Sequence, residues 1–195
     1  MTGEIAAIRP RVVTTNGRRE EIYSLSTDCE FLEGMLRHIF ENHWRSIVFG
    51  PLIEGGAYEI RCPCKPRSIT MFDGYLTIHF GGTHFHLCIG DNRGSETHPT
   101  PPELRGIRRT SRAEIVRGFD ADGAPISWQL RLFNGADTPQ LNVFFPNPFL
   151  TDEDRLAERP DWSRLDVWDD IATRYLGRRQ ARDPLDRSGR GFRQP

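Results

Sequence analysis

Alternation of apolar and polar residues begins at Tyr58, and glycine- or proline-containing turns cut it at short intervals. Side chains two apart on a strand share a face, so this pattern predicts half-buried strands joined by hairpins. Asp73-Gly74 and Gly81-Gly82 are hairpin-turn signals. They delimit three successive antiparallel strands over residues 67–72, 75–80 and 83–89. A second group follows over 113–119 and 125–133, separated by Asp120-Ala121-Asp122-Gly123, and then 140–145, which stops at Pro146-Asn147-Pro148.

Two stretches have helical rather than strand periodicity. Thr27-Asp28-Cys29-Glu30 has capping-box spacing, and Phe31, Leu32, Met35, Leu36 and Ile39 continue at helical period to about Trp44. Trp162, Leu165, Trp168, Ile171, Ala172 and Tyr175 repeat the pattern, with Asp161 as the cap. Residues 1–26 read as irregular or as a weak edge strand despite Asn16-Gly17. Residues 91–110 read as a long loop with one helical turn at Glu103.

The fold class that follows is α+β: an antiparallel sheet of about six strands in two hairpin or meander groups, packed on one face by two amphipathic helices. One domain is expected over residues 1–177. Residues 178–195, rich in arginine and glycine, have too little apolar content to offset their ordering entropy and are expected to form a disordered tail.

Composition changes this picture only in part. A chain of 195 residues with 37% hydrophobic and 27% charged residues is globular and needs no disulfide or metal to bury a core. No apolar run approaches the roughly 20 residues that cross a bilayer, and the first ten residues carry no leader. A cytoplasmic location and no membrane partner are therefore expected, and the four cysteines should be thiols or metal thiolates. After Gly177 six arginines outweigh two aspartates, a net +4 that leaves −5 on the remainder. A whole-domain basic footprint for nucleic acid is missing, whereas the tail suits an acidic partner.

Candidate chemistry concentrates in His79-Phe80-Gly81-Gly82-Thr83-His84-Phe85-His86-Leu87-Cys88. His84, His86 and Cys88 share one strand face. A two-residue turn at Gly81-Gly82 pairs His79 with His84, Thr77 with His86 and Tyr75 with Cys88, so His79 joins them. The Asp73-Gly74 turn puts Ser68 opposite His79, and the chain running back brings Cys62 and Cys64 toward the same end. Imidazole and thiolate suit a transition metal, zinc first, with iron or copper as alternatives, and exclude magnesium and calcium.

Arg105, Arg108 and Arg109, with Arg112 just beyond, would clamp an anionic substrate if the 91–110 loop covers the histidine face, and Lys65, the sole lysine, is a further anion contact or a Schiff-base amine. The leading reading is a transition-metal-binding protein, extending to a small metalloenzyme acting on an anionic small molecule. Its rivals are a module that binds or delivers a metal or tetrapyrrole, an interaction protein with a structural zinc, and an enzyme with Cys88 as nucleophile beside His84 or His86. His38 and His43 read as boundary residues of the first helix, and His98 as a distant candidate ligand.

Overall fold

The computed structural model describes residues 7–177 and 182–192. In chain order the regular elements begin with β1 (Arg11–Thr15), β2 (Arg18–Ser24), α1 (Cys29–Asn42), β3 (Val48–Gly50), β4 (Leu52–Ile53), β5 (Gly56–Ala57) and β6 (Ile60–Arg61). They continue with β7 (Ser68–Phe72), β8 (Tyr75–His79), β9 (His84–Cys88), α2 (Pro102–Arg108), β10 (Thr110–Phe119), β11 (Pro125–Asn134), β12 (Pro139–Phe144) and α3 (Asp166–Tyr175). The protein is α+β with antiparallel sheets: a seven-stranded sheet in the order β1-β2-β10-β11-β12-β3-β6, a three-stranded sheet β7-β8-β9, and the β4-β5 pair.

All six strands expected from alternation are present as β7 to β12, and both expected helices as α1 and α3. The N-terminal segment departs from expectation. Asn16 and Gly17 take φ of 49° and 77°, the left-handed pair of a tight hairpin, and join β1 to β2 with Thr15 opposite Arg18. Its charged sequence, Arg-Arg-Glu-Glu, hid the strand, because Glu21 is buried against another charge rather than turned to water. The α1 cap also differs by one residue: Asp28, not Thr27, accepts from the Glu30 and Phe31 amides at 3.0 and 3.2 Å. A cap of this kind contributes about 1 kcal/mol.

The chain divides into two compact units. One comprises Met1–Ser24, Glu114–Gln129 and Phe144–Pro195, and the other Leu25–Ala113 and Leu130–Val143.

In the first unit, Ile22, Tyr23, Ile115, Val116 and Phe119 of the sheet are buried, as are Trp168 and Ile171 of α3. At its centre is an ion cluster. Arg117 donates to Glu21 at 2.6 Å and to Asp186 at 2.8 Å. Asp186, fully buried, also accepts from the indole N–H groups of Trp128 at 3.2 Å and Trp168 at 2.7 Å. Burial alone would lower the Arg117 pKa, but the facing carboxylates outweigh it and raise the pKa, so the guanidinium stays charged.

Within the C-terminal stretch expected to be a disordered tail, residues 182–192 are described. Pro184–Arg187 forms a 3-10 turn that delivers Asp186, Arg187 pairs with Asp169 at 2.5 Å, and Phe192 packs edge-on to Phe149. The anchoring is polar, which apolar counting does not register. Arg187 is thereby engaged with an acid of this chain rather than left for an acidic partner. Residues 178–181 and 193–195 of the expected tail lie outside the described residues.

In the second unit, Leu32, Met35, Leu36, Ile39 and Phe40 of α1 are fully buried. Phe40 meets Phe85 at 5.6 Å and Phe49 at 5.1 Å between ring centroids. The apolar face of the three-stranded sheet, with Ile69, Leu76, Ile78 and Leu87, joins this core. Its other face carries the residues of interest.

Candidate metal centre

Two glycine-containing turns set the register of this outer face. Asp73 and Gly74 take φ of 44° and 80°, with Phe72 opposite Tyr75. A side chain at Gly74 would meet the Asp91 carbonyl carbon at 2.7 Å, so the turn and the loop leaving β9 can touch only through glycine. At the other turn the Phe80 amide donates to the Thr83 carbonyl at 2.8 Å, closing a two-residue loop over Gly81 and Gly82. The pairs Ser68–His79, His79–His84, Thr77–His86 and Tyr75–Cys88 are all as expected from the sequence.

Register brings the three imidazoles together. His79 and His84 stack with centroids 5.7 Å apart and 21° between planes, and His84 meets His86 edge-on at 5.0 Å. His84 and His86 are exposed, and His79 is half-buried. Their nitrogens are not equivalent. The Gly81 amide donates to His79 Nδ1 at 3.2 Å, so neutral His79 carries its proton on Nε2 and has no lone pair turned outward. His86 Nδ1 lies 2.7 Å from Thr77 Oγ1; in the tautomer whose proton is on Nδ1 this is an orienting contact of the kind that fixes ligand imidazoles and leaves Nε2 as the donor. Thr77 was paired with His86 by the register of the sequence, yet its orienting role was missed because the ring nitrogens cannot be told apart there.

The thiols do not join this set. Cys88 is 4% exposed, and its S–H points to the Gly90 carbonyl at 3.6 Å. The strand pleat turns Cys88 to the imidazole side, but Thr110 and Gln140 close over its end of the strand, both donating to its carbonyl. Burial pushes its thiol pKa up against the opposing pull of Arg108, so the sulfur is protonated and unsuited to nucleophilic attack. Cys64 does reach the Gly81-Gly82 end, where its thiol donates to the Phe80 carbonyl at 3.0 Å. Cys62 is buried with its pKa pushed up to about 12 by desolvation and by Cys64. Among the described residues, no three donors from His79, His84, His86, Cys62, Cys64 and Cys88 lie within 4.8 Å of one another. The donor chemistry therefore fits an ion held at two exposed imidazoles with open positions, and does not fit a saturated tetrahedral site of imidazoles and thiolates.

The arginines expected to clamp an anion serve the loop itself. Arg105 donates to the Thr100 carbonyl at 3.1 Å, and Arg108 to Asn92 Oδ1 at 2.7 Å. Arg112 lies 3.4 Å above the Phe133 ring and pairs with Asp137, which makes it part of the framework. Arg109 and Lys65 are exposed, and His98 is held in its own loop by Thr97 at 3.0 Å. The loop is tied to the β7–β8 turn by Asp73, whose carboxylate accepts from Asn92 at 2.6 Å, from the Arg93 amide at 2.7 Å and from the Gly94 amide at 3.0 Å. A recess of about 360 Å³ opens beside His86, lined by Phe72, Asp73, Tyr75, Thr77 and Asn92. Sequence reading missed this recess, although Phe72 next to a turn was the available signal.

Among the described residues no helix is long and apolar enough to cross a membrane. No curated protein matches the chain. The crystal structure of ChuX is similar at a TM-score of 0.42 with 11% sequence identity, over 79% of this chain and 75% of that one. A family model described as "Family of unknown function (DUF7676)" matches residues 9–177, and the chain belongs to that family.

Proposed function

We propose that this member of the DUF7676 family is a transition-metal-binding protein, zinc first among the metals, whose anchor is the His84–His86 pair on β9. The observation that supports it most is the contact between Thr77 Oγ1 and His86 Nδ1 beside an exposed His84 ring. An imidazole fixed through Nδ1 presents Nε2 at low entropic cost, and imidazole nitrogen suits zinc, copper or iron better than hard cations. His79 becomes a third ligand only if the Gly81 amide releases its Nδ1.

Two or three imidazoles leave coordination positions for water or a small anion. That favours an open site, which exchanges its ion or activates a ligand, over a closed structural one. Cys62, Cys64 and Cys88 stand outside this anchor, and a reducing cytoplasm suits their free thiols.

The test is a titration of the metal-stripped protein with cobalt(II), followed by visible absorbance and by competition with zinc. One equivalent should bind to the wild type and none to the His84→Ala/His86→Ala double variant. Equal uptake by both proteins, or no uptake by either, would refute the proposal.

A further inference from the structure

The outer face of the β7–β9 sheet carries no Asp, Glu, Lys or Arg. β7 contributes Ser68, Thr70 and Phe72 to it, and beside Thr77 and the imidazoles stands Tyr75. Charged residues make up 27% of the chain, and a solvated strand face is where they would be expected. Here Ser68, Thr70, His84 and His86 are exposed instead, and Phe72 is 83% exposed. Depletion of charge together with exposed aromatic rings is the composition of the core of a protein interface. Such a face also has no like charges to repel its own copy.

The metal anchor on this face is half of a coordination shell. Among the described residues, no third His, Cys, Asp or Glu donor joins His84 and His86 within 4.8 Å, and His79 Nδ1 is engaged by the Gly81 amide. Zinc takes four ligands in a tetrahedron. A two-fold axis presents one patch twice, so a second copy laid face to face would bring the two imidazoles that are lacking.

From this juxtaposition we infer that two copies of the chain dock through the outer faces of their β7–β9 sheets around one shared zinc ion, held by His84 and His86 of each copy. The inference rests on the metal-binding reading and deepens it by naming the partner that completes the shell. A stable interface takes about 20–30 residues a side, more than one face of three five-residue strands presents. Contact alone is therefore too small to hold the dimer, and the ion supplies the remainder. Sharing also sets a stoichiometry: half an equivalent of zinc serves every chain in the dimer, whereas a full equivalent lets each chain hold its own ion with water completing the shell.

The experiment is sedimentation velocity of the full chain in EDTA and through a zinc titration, with zinc content measured on dimer separated by size exclusion. Monomer is expected in EDTA, and with zinc a dimer that peaks near half an equivalent and carries one ion per two chains. His84→Ala/His86→Ala should stay monomeric throughout. Thr70 is exposed and lies two strands from His86. Thr70→Arg puts like charges on both sides of the contact and should weaken dimerisation at least about tenfold, while its cobalt uptake and circular dichroism match the wild type. The inference is overturned if the wild type stays monomeric through the zinc titration, if it dimerises equally in EDTA, or if the dimer holds one zinc per chain. It is also overturned if Thr70→Arg dimerises as the wild type does, or if zinc dimerises His84→Ala/His86→Ala. The metal-binding reading fails separately, in the cobalt titration: a chain that takes up cobalt but stays monomeric in zinc sinks the shared ion alone.

Discussion

Two polar clusters in this molecule are built from similar numbers of titratable side chains and differ in what surrounds them. Around Arg117, the charges of Glu21 and Asp186 and two indole N–H groups are buried, and every contact is made within the protein. Around His84, three imidazoles stand on an open sheet face, and among the described residues only the Nδ1 atoms of His79 and His86 are engaged. The first arrangement has nothing left to offer a ligand and holds the C-terminal segment to the sheet. The second presents donor atoms to solvent, on strands held from behind by an aromatic core. Burial with complete pairing gives the first cluster a structural role, and the exposure of the second is what the proposed metal anchor requires.

The largest effect that separates the clusters is on stability. Asp186→Ala leaves two buried indole N–H groups without their acceptor and takes one of its carboxylates from Arg117, which keeps Glu21, and should cost about 3–5 kcal/mol. Urea unfolding checks this, and a loss below about 1 kcal/mol would mean that the cluster is incidental.

On the open face, His84→Ala/His86→Ala should weaken cobalt binding at least 100-fold, about 2.7 kcal/mol, while unfolding midpoints stay close to wild type. A large loss of stability in that variant would make the imidazoles structural and erase the contrast. Thr77→Val keeps the strand but removes the partner of His86 Nδ1. Affinity should fall by about tenfold, the lower end for an orienting contact, in the same titration.

A buried thiol sharpens the comparison through pH. Cys62 is held protonated in the folded state to about pH 12, above its ordinary value of 9.0, so the unfolded chain loses its proton first as pH rises. Stability from this group is complete below pH 9 and declines above it, by about 1.4 kcal/mol at pH 10. Unfolding at pH 8 and pH 10 should show a smaller difference in Cys62→Ala than in wild type.

How far all this was legible in the chain depends on which physical signal each part left. The β7–β9 register was readable to the residue, because Asp73-Gly74 and Gly81-Gly82 fix the turn positions and the period of two does the rest. The strands β3 to β6 were missed, since each is two or three residues long and lies among Gly50, Pro51, Gly55 and Gly56, too short for any periodicity. Alternation assigned Cys88 to the imidazole face correctly but was silent on what covers that face, and Thr110 and Gln140 come from distant sequence. Asp186 was invisible for a related reason: its partners lie 18 to 69 residues away, and its segment has little apolar content.

The most direct examination of the imidazole anchor is a long-range ¹H–¹⁵N NMR spectrum of the histidine rings with and without one equivalent of zinc. The account predicts that the Nε2 resonances of His84 and His86 shift on zinc addition while Nδ1 of His86 stays protonated against Thr77. Unchanged His84 and His86 rings, with zinc taken up at His98 or at the Cys62–Cys64 pair, would contradict it.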